Sequence, residues 1–277
     1  MNILEALILG IVQGLTEFLP VSSSAHLVFV PALLRVPPNV AFDVLLHAGT
    51  LLAVTGYFWR DILAVIGAFF SSLADLFKGD FRRGLKEEPS KRLAWFIIVG
   101  SIPAAAFGLL FKGFIEGLFS SVPTVALFLI GTGVLLWFAD KAGCRDRTAK
   151  DITLRDSLAI GLAQAAAIAP GISRSGATIA AGLFRGFERE TAARASFLLS
   201  IPAILGATIL HIKDISAGFQ LGGGIFVAGF ISSALCGWLA IRLFLKFIRT
   251  RSLRPFAWYC GLAGAAALAL HFLGILA

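Results

Sequence analysis

Glu17, Ser23 and His26 fall within one ten-residue stretch, EFLPVSSSAH, while Arg174 stands in a second, PGISRSGAT. A carboxylate, a hydroxyl, an imidazole and a guanidinium are the parts that phosphoryl transfer asks for: a nucleophile, a base to activate it, and a planar fork of donors to grip a phosphate. Gln13 precedes Glu17 by four residues, so on a helix both side chains share the face that leads to Pro20. Beyond the proline, Ser22 or Ser23 can cap a new helix whose free N–H groups offer an anion site. His26 lies one turn after Ser23 and shares its face. Arg174 is the only basic residue between Arg155 and Arg185. In apolar surroundings its guanidinium needs an anion, either a phosphate or Glu17 itself. Glu17, Ser23, His26 and Arg174 are therefore the candidate catalytic residues, and Gln13, Ser22, Ser24, Ser173, Ser175 and Thr178 the candidate substrate contacts. Residue types alone leave open whether serine, histidine or an activated water attacks.

Other chemistries fit less well. A nucleophile elbow would read G-x-S-x-G, whereas the nearest text is GISRSG. A zinc site would cluster its ligands, but His47, His211 and His271 are scattered, and Cys144, Cys236 and Cys260 show no metal-ligand spacing. His47, in LLHAGT, is either a cavity-lining or a packed residue. His211 and His271 sit near span ends.

The elements that must hold these groups are membrane helices. The 277 residues are 58% hydrophobic and 14% charged, with mean hydropathy +0.88. An ordinary soluble domain is roughly 45 to 50% apolar and about a quarter charged. Windows such as LAWFIIVGSIPAAAFGLLF and VPTVALFLIGTGVLLWF are long enough to cross a hydrocarbon core about 30 Å thick. Full spans are expected at 42–59, 93–111, 122–139, 195–212, 224–245 and 256–276. Two more apolar stretches, 3–34 and 157–184, are broken near their middles by LPVSSS and APGISRSG, and read as re-entrant hairpins. Backbone groups freed at such depth must be satisfied by protein or a polar cavity. The first stretch lacks a basic lead-in and a cleavage site, so it does not read as a signal peptide.

Charge orients the scheme. Lys78–Arg92, Lys141–Arg155 and Lys246–Arg254 are rich in Lys and Arg, whereas 112–121 and 213–222 carry one basic residue each, Lys112 and Lys213. The rich segments belong in the cytoplasm, which accounts for the net charge of +8 without a nucleic-acid partner. Arg185, Arg189 and Arg194 then fall inside as well, and the two hairpins enter from opposite faces. The expected fold is an all-α integral membrane protein and a single domain over 1–277. It comprises two inverted repeats, 1–139 and 157–277, each a hairpin plus three spans. Inverted repeats with paired broken helices place a site where the breaks meet. GIVQ before Pro20 and GLAQ before Pro170 echo that symmetry.

With QGLTEFLPVSSSAH and PGISRSGAT in place, the chain resembles the undecaprenyl-diphosphate phosphatase family, also called the bacitracin-resistance family, over essentially its whole length. The resemblance implies a bacterial cytoplasmic-membrane hydrolase. It would convert undecaprenyl diphosphate to undecaprenyl phosphate and inorganic phosphate, recycling the carrier lipid for cell-wall synthesis, with its site open to the outer face. It carries the family's essential carboxylate, serine, histidine and arginine onto Glu17, Ser23, His26 and Arg174. It also implies a divalent cation, magnesium or calcium, at Glu17. Gln13 stands where some members have Glu, which leaves one carboxylate fewer for a metal. Bacitracin would act only by competing for the lipid, and a second copy of the chain is a candidate partner. The unrelated acid-phosphatase-type lipid phosphatases place a second histidine after their arginine, and SRSGATIAAGLFRGF has none. A different class of function, a flippase for undecaprenyl phosphate, would suit the same inverted repeats but would not need Ser23 beside His26.

Overall fold

A computed structural model describes residues 1–142, 146–212 and 222–276; Cys144, Arg145, Lys213 and Ala277 lie outside the described residues. The described chain is helical, with no strand beyond an isolated bridge between Arg147 and Phe187. Six helices are long and apolar enough to cross a membrane, and the molecule is a multi-pass membrane protein. They are α3 (Val40–Tyr57), α6 (Pro89–Leu110), α8 (Val122–Asp140), α11 (Arg189–Leu210), α12 (Gly223–Ile248) and α13 (Arg254–Phe272). Each matches an expected span, though several run a turn or more past the apolar window because helical hydrogen bonding continues into the polar layer. The broken stretches form two helix pairs, α1 (Ile3–Phe18) with α2 (Ser23–Leu34), and α9 (Leu154–Ala166) with α10 (Arg174–Phe184).

Three helices lie outside the expected scheme. Trp59–Lys78 forms α4, Phe81–Glu87 forms α5, and Lys112–Phe119 forms α7. The α4 helix follows α3 almost without interruption and packs on the start of α6, where Trp95 Nε1 donates to Ser72 Oγ at 3.0 Å. Lys91, in the first turn of α6, donates to Asp75 at 2.6 Å and to Glu88 at 2.7 Å. Arginines expected on the basic face find partners there. Arg185 meets Asp156 at 2.6 Å, Arg189 meets Asp140 at 2.7 Å, and Arg194 meets Asp61 at 3.1 Å. Asp156 is fully buried and also receives both terminal nitrogens of Arg147.

Each broken pair packs on a span far from it in sequence. Helix α8 packs on α13 and α3 on α11, but α1 packs on α12, and α9 packs on α6. Glycine permits the closest approaches: a Cβ on Gly14 would lie 2.6 Å from Ser233 O and 2.8 Å from Gly237 N. Gly10 faces Gly229 and Ser232, so α1 runs parallel to α12. Gly161 faces Gly100 and Ile168 reaches Gly108, so α9 runs parallel to α6. Beneath the first break, Phe197 contacts the rings of Phe18, Phe58 and Phe244 at centroid distances of 5.4, 6.4 and 5.9 Å. These fully buried rings fix the end of α1, where Glu17 sits.

Candidate active site

The first break is made by Pro20 and Ser22. A residue before proline is pushed out of the helical region, and Leu19 accordingly caps α1 in an extended conformation. Ser22 takes φ +65°, in the left-handed region, a cost of about 1–3 kcal/mol for a residue with a Cβ. Its own contacts hold it there. The hydroxyl caps Ala25 N at 3.4 Å and lies 3.0 Å from Ser24 Oγ, while the carbonyl accepts from His26 Nδ1 at 2.7 Å. The reversal turns Ser23 back onto the helix just left, and its hydroxyl donates to Glu17 Oε2 at 2.6 Å.

Glu17 is the centre of the site. Oε2 also accepts from Gln13 Nε2 at 3.0 Å, and Oε1 accepts from Arg174 Nη2 at 2.8 Å. His47 Nε2 stands 3.7 Å from Oε2, and its Nδ1 lies 2.8 Å from Asp43 O. Glu17 is 7% exposed, so this ion pair sits out of bulk solvent. There each charge depends on the other, and removing one partner costs far more than at a surface.

The second break supplies Arg174 and the frame around it. Gly171 has φ +95°, and a Cβ there would strike Val125 O, so the turn requires glycine. Thr132 of α8 clamps this turn, donating to Gly171 O at 3.1 Å and accepting from Ser173 N at 3.1 Å. Ser173 caps α10 through Gly176 N at 3.0 Å. The breaks are tied directly: Gly171 N donates to Ser24 Oγ at 3.2 Å, and Ser175 Oγ donates to Leu19 O at 3.0 Å. Arg174 Nη1 donates to Ser196 O at 3.3 Å, and Thr178 Oγ1 lies 2.6 Å from Ser196 Oγ.

The residues singled out from sequence thus converge, with a division among them. Glu17, Ser23, Gln13 and Arg174 form one bonded cluster. Ser22, Ser173, Ser175 and Thr178 are each 2% exposed or less, with hydroxyls engaged in protein hydrogen bonds, while Ser24 joins the two breaks. His26 shares a face with Ser23, yet the two are not hydrogen-bonded: His26 Nε2 lies 2.7 Å from the hydroxyl of Tyr259, on α13. His47 stands beside Glu17 while its other ring nitrogen is hydrogen-bonded within its own helix, to Asp43 O. Tyr259, Thr132 and Ser196 carried no signal in the sequence, because a lone hydroxyl in an apolar helix ordinarily bonds its own backbone.

For a hard cation the donor set is small. Among the described residues no group of three His, Cys, Asp or Glu could hold a metal. Gln13 Oε1, however, is buried without a protein partner beside Glu17. One carboxylate and one amide oxygen suit an ion that takes its remaining ligands from substrate phosphates and water, as magnesium does.

Fold and site together define a polytopic membrane protein with a buried carboxylate, hydroxyl and guanidinium where two broken helix pairs meet. The chain belongs to the bacitracin resistance protein BacA family, whose model matches residues 6–266. It is 47% identical over 272 residues to an undecaprenyl-diphosphatase of Methanosphaera stadtmanae, covering 98% of each chain. It is 45% identical to the protein of that name from Methanobrevibacter smithii, covering 95% of this chain and 96% of that one. With the undecaprenyl-diphosphatase of Moorella thermoacetica it shares 44% identity over 99% of both.

Proposed function

We propose that this protein hydrolyses undecaprenyl diphosphate to undecaprenyl phosphate and inorganic phosphate. One observation carries the chemistry: Ser23 Oγ donates to Glu17 Oε2 at 2.6 Å, while Arg174 from the opposite hairpin holds the other carboxylate oxygen at 2.8 Å. Glu17 takes the proton as Ser23 Oγ attacks the terminal phosphorus, and the bridging P–O bond breaks to release undecaprenyl phosphate. Because the leaving group is a phosphate anion, its departure needs no general acid. Water then attacks the phosphoserine, giving its proton to His26, while the Oγ–P bond breaks, Glu17 returns its proton to Ser23 Oγ and inorganic phosphate leaves. Arg174 and the N-termini of α2 and α10 balance the negative charge that gathers on the transferred group. Ser22, Ser24, Ser173, Ser175 and Thr178 keep those N-termini aimed at the diphosphate. A magnesium or calcium ion, held by Glu17 and Gln13 Oε1, would neutralise charge on the diphosphate when bound.

The prenyl chain runs among the spans, whose outward side chains are apolar. In the cell the enzyme resides in the cytoplasmic membrane with its site open to the outer face, since the basic face is the cytoplasmic one. Bacitracin acts indirectly, by competing for the diphosphate lipid, and the exposed apolar helices also offer a surface for a second copy. Phosphate release from undecaprenyl diphosphate in detergent micelles, where transport has no meaning, tests the reading. Steady release supports it; none, together with movement of undecaprenyl phosphate across vesicles, would make the protein a transporter.

A further inference from the structure

We infer that Tyr259 is a positioning residue for His26, an inference that rests on the phosphatase reading above. The imidazole has two partners of opposite demand. A carbonyl only accepts, so the 2.7 Å contact with Ser22 O requires the hydrogen on Nδ1. In the neutral ring Nε2 is then the lone-pair nitrogen, and the group facing it at 2.7 Å is a hydroxyl able to donate, that of Tyr259. The rings lie 8° from parallel with centroids 5.7 Å apart, so the phenol fixes the plane of the imidazole as well as its rotation. The next residue of the same helix braces the same break, Cys260 Sγ donating to Pro20 O at 3.5 Å.

This contact answers what the site otherwise lacks, since no hydrogen bond ties His26 to Ser23 or Glu17. A base is effective only when the right nitrogen bears its lone pair and points at the proton to be taken. Tyr259 holds Nε2 in that state. Its own side chain is 45% exposed, so the hydroxyl can yield its place at Nε2 to the attacking water. Trp258 beside it is 62% exposed and packs edge-on against Trp137.

The test compares wild type, Tyr259→Phe and Trp258→Phe, as full-length protein in detergent with undecaprenyl diphosphate as substrate. Removing the hydroxyl should lower kcat about fivefold to tenfold, the worth of one hydrogen bond, with KM little changed. Trp258→Phe should match wild type. In a His26→Ala background, Tyr259→Phe should have no further effect, which a general packing defect would not produce. With 15N-labelled histidine, of which the chain has four, the Nε2 resonance of His26 should move toward that of an unbonded pyridine-type nitrogen in Tyr259→Phe. Unaltered kcat, a loss that persists in the His26→Ala background, or an unmoved resonance would overturn the inference while leaving the phosphatase reading in place. A wild-type protein that releases no phosphate would overturn both.

Discussion

The two breaks are built by the same device, a helix ended near a proline and a second helix begun on a serine cap, yet they do different work. At the first, the helix that ends carries Gln13 and Glu17 one turn apart, and the helix that begins carries Ser23 and His26, both only partly buried. At the second, α9 carries Gln164 in its last turn but no carboxylate follows it before Arg174, and Ser173, Ser175 and Thr178 are 1% exposed. The second break sends a single charged group, Arg174, across to the first. A shared construction therefore need not mean shared chemistry: in the proposed reaction the first break reacts, and the second frames it and grips. Gln164 is buried with neither amide atom bonded, where Gln13 is joined to Glu17.

If that division is real, substitutions at the breaks should fail in different ways. The largest effect is expected for Glu17→Ala, a roughly thousandfold loss of kcat with helix content by circular dichroism unchanged. Arg174→Lys keeps the charge but loses the fork, and should cost about a hundredfold in phosphate release. Gly171→Ala should instead act on the fold. With φ at +95° and Val125 O in the way, about 2–4 kcal/mol of stability should be lost, read as a lower unfolding temperature in detergent. Ser173→Ala removes only a helix cap, worth about 1 kcal/mol, and should leave kcat within about threefold of wild type. If Ser173→Ala abolished turnover, as the account expects of Ser23→Ala, the two breaks would be chemical equals and the contrast would fail.

What the sequence conveyed followed from how local each signal was. The six spans are uninterrupted apolar windows, and the hairpins announce themselves through Pro20, Pro170 and the serines after them. Helix α4 was not legible as an element. Its uncharged run, 62–74, is closed off by Asp61 and Asp75 and is too short to read as a span, although Leu63, Ile66, Phe70 and Phe77 are all exposed. The packing that lays α1 on α12 and α9 on α6 was equally hidden, because it depends on glycines from distant segments meeting face to face. In the site, Glu17 and Arg174 stood out as charges in an apolar setting. His47 fell within an ordinary span, and its distance from Glu17 only the fold could set. Tyr259 was masked by its helix, where an aromatic residue in an apolar run is unremarkable until His26 is found against it.

The central claim is that Glu17 makes Ser23 the nucleophile. Substrate labelled on its terminal phosphorus, mixed with enzyme, quenched in the first turnovers with denaturing detergent at neutral pH, which preserves phosphoserine and phosphohistidine alike, and mapped by peptide analysis, tests it most directly. Label on Ser23, absent from Ser23→Ala and strongly reduced in Glu17→Ala, is the predicted result; label on His26, or turnover with no labelled residue, would contradict it.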